Sequence, residues 1–373
     1  MLPARNPNAG NLAEVLESCL AATTGKPNAL GFSKARTALV IVIDGLGAKV
    51  LQRFAGHART LASAAKRSIP SGFPTTTASA LTSLTTGTLP GAHGIVGYDV
   101  RIPESGVVQN QLRDWRGPMD PALWQRSATV FERHPDATVV IAETKFSQSG
   151  FTQASYRGAK YVGGINAEER CALALEAVRS SDTQLVYLYF PELDRLGHEH
   201  GVASDHWISE LERLDALLGE LFSELPSGTG VVVTADHGMI DIDESAHVIV
   251  PSDSPLLHHV DVVAGEPRCL QIHRSSEASD EEWSRTKTAW LESESHRAWV
   301  FDREELIESG WLGEVHETVE QRLGDLWVAA REPIAYYFSE TAKSRGMVGQ
   351  HGSLTEAELR VPLLLFGAFA TQR

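Results

Sequence analysis

The sequence predicts an α/β fold with a mostly parallel central sheet flanked by helices, and three observations predict it. First, four runs are apolar without alternation: Thr37–Ile43 (TALVIVI), Gln184–Phe190 (QLVYLYF), Gly230–Ala235 (GVVVTA) and Val361–Gly367 (VPLLLFG). Strands covered on both faces read this way. Second, Asn11–Ala22, Glu168–Arg179 and Asp205–Leu225 carry apolar residues at three- and four-residue steps, the pattern of amphipathic helices. Third, the two kinds of segment alternate along the chain.

Taken in order, Asn11–Ala22 is the first helix and Thr37–Ile43 the first core strand, which runs into Asp44-Gly45. The stretch from Phe73 to Gly87, FPTTTASALTSLTTG, reads as a loop opening a helix, with Pro74 near its start and a Ser/Thr cap. Glu143–Gly164 is polar and glycine-rich and carries Lys145, Arg157 and Lys160; it reads first as a solvated loop with strand ends. Its second reading is a substrate-contacting segment, with Lys145 the cation nominated to meet a distal phosphate or carboxylate. The second core strand runs into Pro191 and, a few residues on, Asp194 and His198; the third runs into Asp236-His237. Residues 256–345 mix short strand and helix patterns and read as a smaller α+β insertion. The catalytic core is then 1–255 with 346–373.

Composition bounds the function. The chain has 373 residues, with 42% hydrophobic and 22% charged, as an ordinary folded protein has. Its net charge of −15 repels polyanions, which argues against binding nucleic-acid polymer. A small anionic substrate remains compatible if metal ions supply local positive charge. The three cysteines, Cys19, Cys171 and Cys269, are widely spaced with no CxxC. With no secretory pattern at the N-terminus and no membrane-spanning run, they point to a cytoplasmic protein. A homo-oligomer is left open.

In open α/β sheets, function gathers at the carboxyl ends of the strands. An aspartate at one such end is ordinarily a turn or capping residue. Three core strands each delivering an aspartate to one edge, two with a histidine close by, is a different matter. Converging carboxylates repel unless cations lie between them. Asp194 and His198 lie one helical turn apart, the adjacent Asp236-His237 pair can reach one ion, and His351 stands in a glycine-flanked loop before the last strand. The ligand count suggests two sites, and the mixture of aspartate and imidazole suits Zn²⁺ first and Mn²⁺ second. A threonine at the start of the helix after Phe73 would sit where backbone N–H groups bind phosphate oxygens.

These pieces resemble the alkaline phosphatase superfamily, and within it the nucleotide pyrophosphatase/phosphodiesterase (type I phosphodiesterase) branch. The matching segments run in the family's order: IDG at 43–45, PTTT at 74–77, TTGTLPGAHGI at 85–95, DRLGH at 194–198, ADHGM at 235–239 and GQHGS at 349–353. The resemblance implies that Asp44, the nucleophilic threonine, Asp236 and His237 hold one metal, and Asp194, His198 and His351 the other. The family's PTxT pattern, followed ten residues later by the glycine of a TG, selects Thr77, with Thr76 the runner-up.

The implied activity is hydrolysis of phosphodiester or phosphoanhydride bonds through a covalent phospho-threonine. One departure bears on substrate. Tyr98 stands in HGIVGYDV where the branch carries an asparagine that donates a hydrogen bond to phosphate; tyrosine donates too, with a different reach. The matched motifs offer no arginine to clamp a phosphomonoester, and no sulfatase-type nucleophile motif is present. A phosphomonoesterase or phosphonate hydrolase on the same site is the alternative, followed by a catalytically inactive metal-binding protein.

Overall fold

The structure, a computed structural model, describes residues 2–65 and 67–370. Its central sheet contains β1 (Thr37–Ile43), β2 (Thr138–Glu143), β3 (Lys160–Gly164), β4 (Leu185–Phe190), β5 (Thr229–Thr234) and β6 (Leu364–Gly367), in the spatial order β6-β5-β1-β4-β2-β3. All neighbours are parallel except β6, which runs antiparallel to β5 at the edge. Every residue of β1, β2, β4 and β5 is buried, the reason their sequences show no alternation.

Two expectations are corrected here. Val361–Gly367 is not one strand of the parallel core. It divides into Arg360–Pro362, paired antiparallel with Ser68–Pro70, and β6. Pro362 has no N–H to continue a ladder, so the chain changes partner at that point. The segment 143–164 is also more ordered than a solvated loop. It leaves β2, forms the short helix Gly150–Ser155, and re-enters the sheet as β3.

Four helices position the site: α1 (Thr77–Thr86), α2 (Ala167–Arg179), α3 (Glu192–His200) and α4 (Asp205–Glu224). The first predicted helix is present as a 3-10 turn at Leu12–Glu14 that runs into Val15–Thr23, with Asn11 and Glu14 forming a capping box. All ten residues of α1 are buried, and it ends at Gly87 in the left-handed conformation. Its N-cap, Thr76, makes no side-chain capping bond, so the hydroxyl expected to cap this helix does not do so.

A second six-stranded sheet is antiparallel throughout. In spatial order it contains Ala298–Asp302, Leu326–Ala330, Cys269–Arg274, Val260–Glu266, Asp99–Arg101 and Val108–Asn110. Four of these strands come from 256–345, and two come from the segment after Tyr98. Trp283, Trp290, Ile272, Val328 and Tyr336 form its own apolar cluster.

Candidate active site

Strand register places the site. Ile43 of β1 lies opposite Phe190 of β4, and Val42 opposite Thr234 of β5. Asp44, Pro191 and Ala235 therefore leave the sheet side by side, and Asp44 N–H donates to Phe190 O at 2.9 Å. Asp236 and His237 follow at once. Asp194 and His198 project from α3, which starts right after β4.

The three histidines expected to hold metal share one arrangement. His198 Nδ1 lies 2.7 Å from Gly349 O, His237 Nδ1 3.1 Å from Gly238 O, and His351 Nδ1 2.8 Å from Thr75 O. A carbonyl only accepts, so each Nδ1 carries the proton and each Nε2 presents a lone pair. All three Nε2 atoms face carboxylates. His198 Nε2 is 3.4 Å and His351 Nε2 3.9 Å from Asp194 Oδ1. His237 Nε2 is 3.4 Å from Asp44 Oδ1 and 3.5 Å from Asp236 Oδ2. His351 stacks on His237 at 3.6 Å between ring centroids. Burial, with His237 and His198 adding to it, holds His351 well below the usual histidine range, so its imidazole is neutral and able to coordinate.

Whether these residues suit a cation is decided by the carboxylate oxygens. Asp44 Oδ1, Asp194 Oδ1 and Asp236 Oδ2 are buried without a hydrogen-bond partner, and they are the same oxygens that face the imidazole Nε2 atoms. Their other oxygens are engaged where the fold supplies donors: Tyr189 O–H donates to Asp44 Oδ2, and Gly45 and His237 N–H groups to Asp236 Oδ1 at 3.2 and 3.0 Å. Burial first, then Asp236 and Asp194, push the Asp44 carboxyl well above the usual carboxylate range. Such a cluster is costly as bare charge, and divalent cations offset that cost. Two groups have ligand atoms within 4.8 Å of one another: Asp194, His198 and His351, and Asp44, Asp194 and His237. Asp194 belongs to both.

Thr77 is the first residue of α1, and its Oγ1 lies 3.1 Å from His237 Nε2, beside the second group. Two cavities meet there. The larger, about 600 Å³, is lined by Thr77, Tyr98, Asp194, His198, Glu266 and His351 among others. The smaller, about 190 Å³, is lined by Asp44, Thr77 and aromatic residues including Phe146, Tyr156, Tyr161 and Tyr189. Leu112, Arg113, Asp194 and Arg195 line both.

Among the expected site residues, Asp44, Thr77, Asp194, His198, Asp236, His237 and His351 come together, and Tyr98 lines the larger cavity. Burial raises the Tyr98 phenol and Arg113 opposes that shift. Lys145 is not among them: its ammonium pairs with Glu143 at 2.9 Å, and it lines neither cavity. The cations at the cavities are Arg113, Arg195 and Lys343. The expectation that the matched motifs offer no arginine is corrected here, since Arg195, the arginine of DRLGH, lines both cavities; Arg113 lies in QNQLRDW, where no motif marks it. Glu266, buried with Oε1 unpartnered, also went unmarked in the sequence.

A mostly parallel sheet that brings carboxylates, imidazoles and a threonine to one edge is the class of frame that the resemblance to the alkaline phosphatase superfamily implied. Residues 38–354 match the family model for type I phosphodiesterase / nucleotide pyrophosphatase, and the chain belongs to that family. Among curated relatives, an uncharacterised pyrophosphatase/phosphodiesterase of Schizosaccharomyces pombe is 27% identical over 222 residues, 54% of this chain and 44% of the relative. Ectonucleotide pyrophosphatase/phosphodiesterase 1 of Saccharomyces cerevisiae is 26% identical over 224 residues, 50% of this chain and 30% of that protein. The matches thus span less than half the length of either relative. Among solved structures, murine ectonucleotide pyrophosphatase/phosphodiesterase 5 superposes with a TM-score of 0.68 at 19% identity, over 88% of this chain and 87% of that one. An inactive variant of it in complex with AMP gives 0.69 at 19% identity, over 89% and 88% of the two chains. Phosphonoacetate hydrolase from Sinorhizobium meliloti gives 0.67 at 18% identity, over 90% and 91%. Among the described residues no helix is long and apolar enough to cross a membrane.

Proposed function

We propose that this protein is a metal-dependent phosphodiesterase or nucleotide pyrophosphatase that works through a covalent phospho-threonine on Thr77. The observation that carries this reading is the position of Thr77 Oγ1, at the start of a helix with no side-chain cap, 3.1 Å from His237 Nε2 and beside carboxylates whose free oxygens all face inward. Asp44, Thr77, Asp236 and His237 would hold one divalent cation, and Asp194, His198 and His351 the other. Zn²⁺ suits three imidazoles with carboxylates, and Mn²⁺ is second. When bound, such a pair neutralises charge on the entering and leaving oxygens and favours the alkoxide of a coordinated hydroxyl.

The chain's own part is to position and to exchange bonds. Thr77 Oγ attacks phosphorus; an Oγ–P bond forms and the bond to the leaving oxygen breaks. Water then cleaves the Oγ–P ester and restores the hydroxyl. The uncapped N–H groups at the start of α1 point their dipoles toward the phosphoryl oxygens. Tyr98 replaces an amide as a hydrogen-bond donor in the larger cavity. The substrate is a small phosphate-containing anion such as a nucleotide diester or anhydride. Three buried free cysteines support a cytoplasmic location. In this reading 256–345 is a cap-like subdomain that supplies part of the cavity wall through Glu266, Pro267 and Lys343.

The test is Thr77→Ala. With Asp44, Asp236 and His237 still present, it is expected to keep most of its metal content and lose turnover of bis-(p-nitrophenyl) phosphate by about 10³-fold or more, the scale on which a covalent nucleophile acts. A variant that still turns over this diester sinks the assignment. Tyr98 motivates one alternative, a phosphomonoesterase or phosphonate hydrolase. Comparing monoester and diester substrates with the same leaving group separates the two.

A further inference from the structure

Arg113 lines both cavities and so lies at their junction with Thr77 and Asp194. Its side chain is exposed, and among the described residues its guanidinium makes no hydrogen bond and no close ion pair, though Asp99 and Tyr98 feel its charge; its backbone N–H donates to Asn110 Oδ1 at 2.9 Å. Arg195, the other guanidinium shared by the two cavities, is already engaged. It lies 3.2 Å from Glu143 and 3.9 Å from Glu192, carboxylates that the buried Arg170 also contacts.

The turn that presents Arg113 is built rather than loose. Asn110 Oδ1 accepts from the N–H groups of both Leu112 and Arg113, while its Nδ2 donates to Asp99 Oδ1 at 2.7 Å. Gln111 is fully buried; its Nε2 donates to Gly97 O at 2.8 Å, its Oε1 accepts from Trp124 Nε1 at 3.1 Å, and its carbonyl accepts from Trp115 Nε1 at 2.8 Å. A turn held this firmly carries an unpaired cation beside a nucleophile, in a chain of net charge −15.

The reacting phosphoryl group of a simple diester carries one negative charge, and the two candidate cation positions already face it. A further guanidinium at the cavity junction, carried by a firmly held turn and left without a partner among the described residues, fits a second anion, which it can hold bidentately. We propose that Arg113 is a specificity-determining residue that binds a second anionic group, phosphate or carboxylate, on the non-reacting part of the substrate. This rests on the reading of the site as a phosphoryl-transfer centre, and it narrows the substrate to one with charge beyond the attacked phosphorus.

The test is binding, measured by calorimetry on metal-loaded protein carrying Thr77→Ala, so that nothing is turned over. The probes are methylphosphonate, phosphonoacetate and methylenediphosphonate, which share one phosphonate and differ in the second group. Adding Arg113→Ala is expected to weaken at least one of the two doubly anionic probes by about tenfold more than methylphosphonate, with Arg113→Lys recovering part of the loss. Loss on methylenediphosphonate assigns phosphate, and loss on phosphonoacetate assigns carboxylate. Equal losses on all three probes, or none, overturn the proposal. Metal content and melting temperature of each variant confirm that it is folded. Failure of the hydrolase reading looks different: protein with Thr77 intact turns over no phosphoester while the binding ratios stand.

Discussion

Thr75, Thr76 and Thr77 are consecutive, and their hydroxyls meet three different surroundings. Thr75 Oγ1 donates to Ser353 O at 2.6 Å and accepts from Gly352 N–H at 3.1 Å, tying the loop that carries His351 to the start of α1. Thr76 Oγ1 is buried on the side of Glu266, without a close hydrogen-bond partner among the described residues. Thr77 Oγ1 alone faces His237. Further along the helix, Thr82, Thr85 and Thr86 bond back to carbonyls four residues earlier, at 2.7, 2.9 and 2.7 Å, which satisfies buried hydroxyls inside an all-buried helix. Thr75→Val leaves the Ser353 carbonyl and the Gly352 N–H unpaired, a cost of about 1–3 kcal/mol. Valine keeps the Thr75 carbonyl that orients His351 but loses the two side-chain bonds that hold the His351 loop against it, so metal affinity is expected to fall by about 10-fold, the lower end of the range for losing a partner that orients a ligand. Competition with a chelator measures it, and unchanged affinity would show that the His351 loop is held by other contacts.

The three ligand-bearing segments interlock through small residues. A Cβ on Gly197 of α3 would lie 2.5 Å from Met239 Sδ, and one on Gly349 would lie 2.3 Å from the same sulfur and 2.6 Å from Gly197 O. The glycines of DRLGH and GQHGS and the methionine of ADHGM therefore serve packing here: they let α3, the loop after β5 and the 349–353 segment approach closely enough for three histidines to converge. Gly349 O also fixes His198. Gly349→Ala is expected to destabilise the fold by about 1–3 kcal/mol, because the backbone carbonyl of Gly197 cannot move aside as a side chain would. It should also lower metal content. Both are read from denaturant unfolding and metal analysis of the purified variant, and wild-type values for both would refute the packing argument.

At the scale of the molecule, the second sheet is fastened to the site by one buried ion pair. Arg268 and Glu358 have fully buried side chains and meet through two bonds of 2.8 Å, Nε to Oε1 and Nη2 to Oε2. Arg268 also donates to the carbonyls of Ala330, Glu332 and Ile334, and Glu358 accepts from Ser353 N–H at 3.0 Å. The 351–358 loop is thus clamped from the 256–345 segment. Removing one partner leaves a buried charge, so Arg268→Met is expected to cost about 3–5 kcal/mol, measured as a shift in denaturation midpoint. Pairing it with Glu358→Leu should recover most of that loss. Equal stability of the single and double variants would mean that the pair is not coupled.

The buried strands, the helix pattern and six short motifs were readable in the chain because each is local: a run of β-branched residues, a three-to-four spacing, or an aspartate leaving a strand. With the family pattern they named all seven residues expected to hold metal or act as nucleophile. What the chain could not reveal depended on contacts between distant segments. β3 lies in a stretch whose polar composition reads as loop, and β2 is a short apolar run, TVVIAE, outside the four that predict the sheet; both take their place in it because β4 pairs with β2 and β2 with β3. The break at Pro362 follows from which neighbours have free donors. Asp194 stands between both ligand groups because β1 and β4 end side by side, a matter of register. The cations at the cavities are Arg113, Arg195 and Lys343 and not Lys145, because Glu143 pairs with the lysine outside them while Asn110 and Gln111 hold the turn of Arg113 beside Thr77. Charge in a sequence carries no direction; packing and hydrogen bonds supply it.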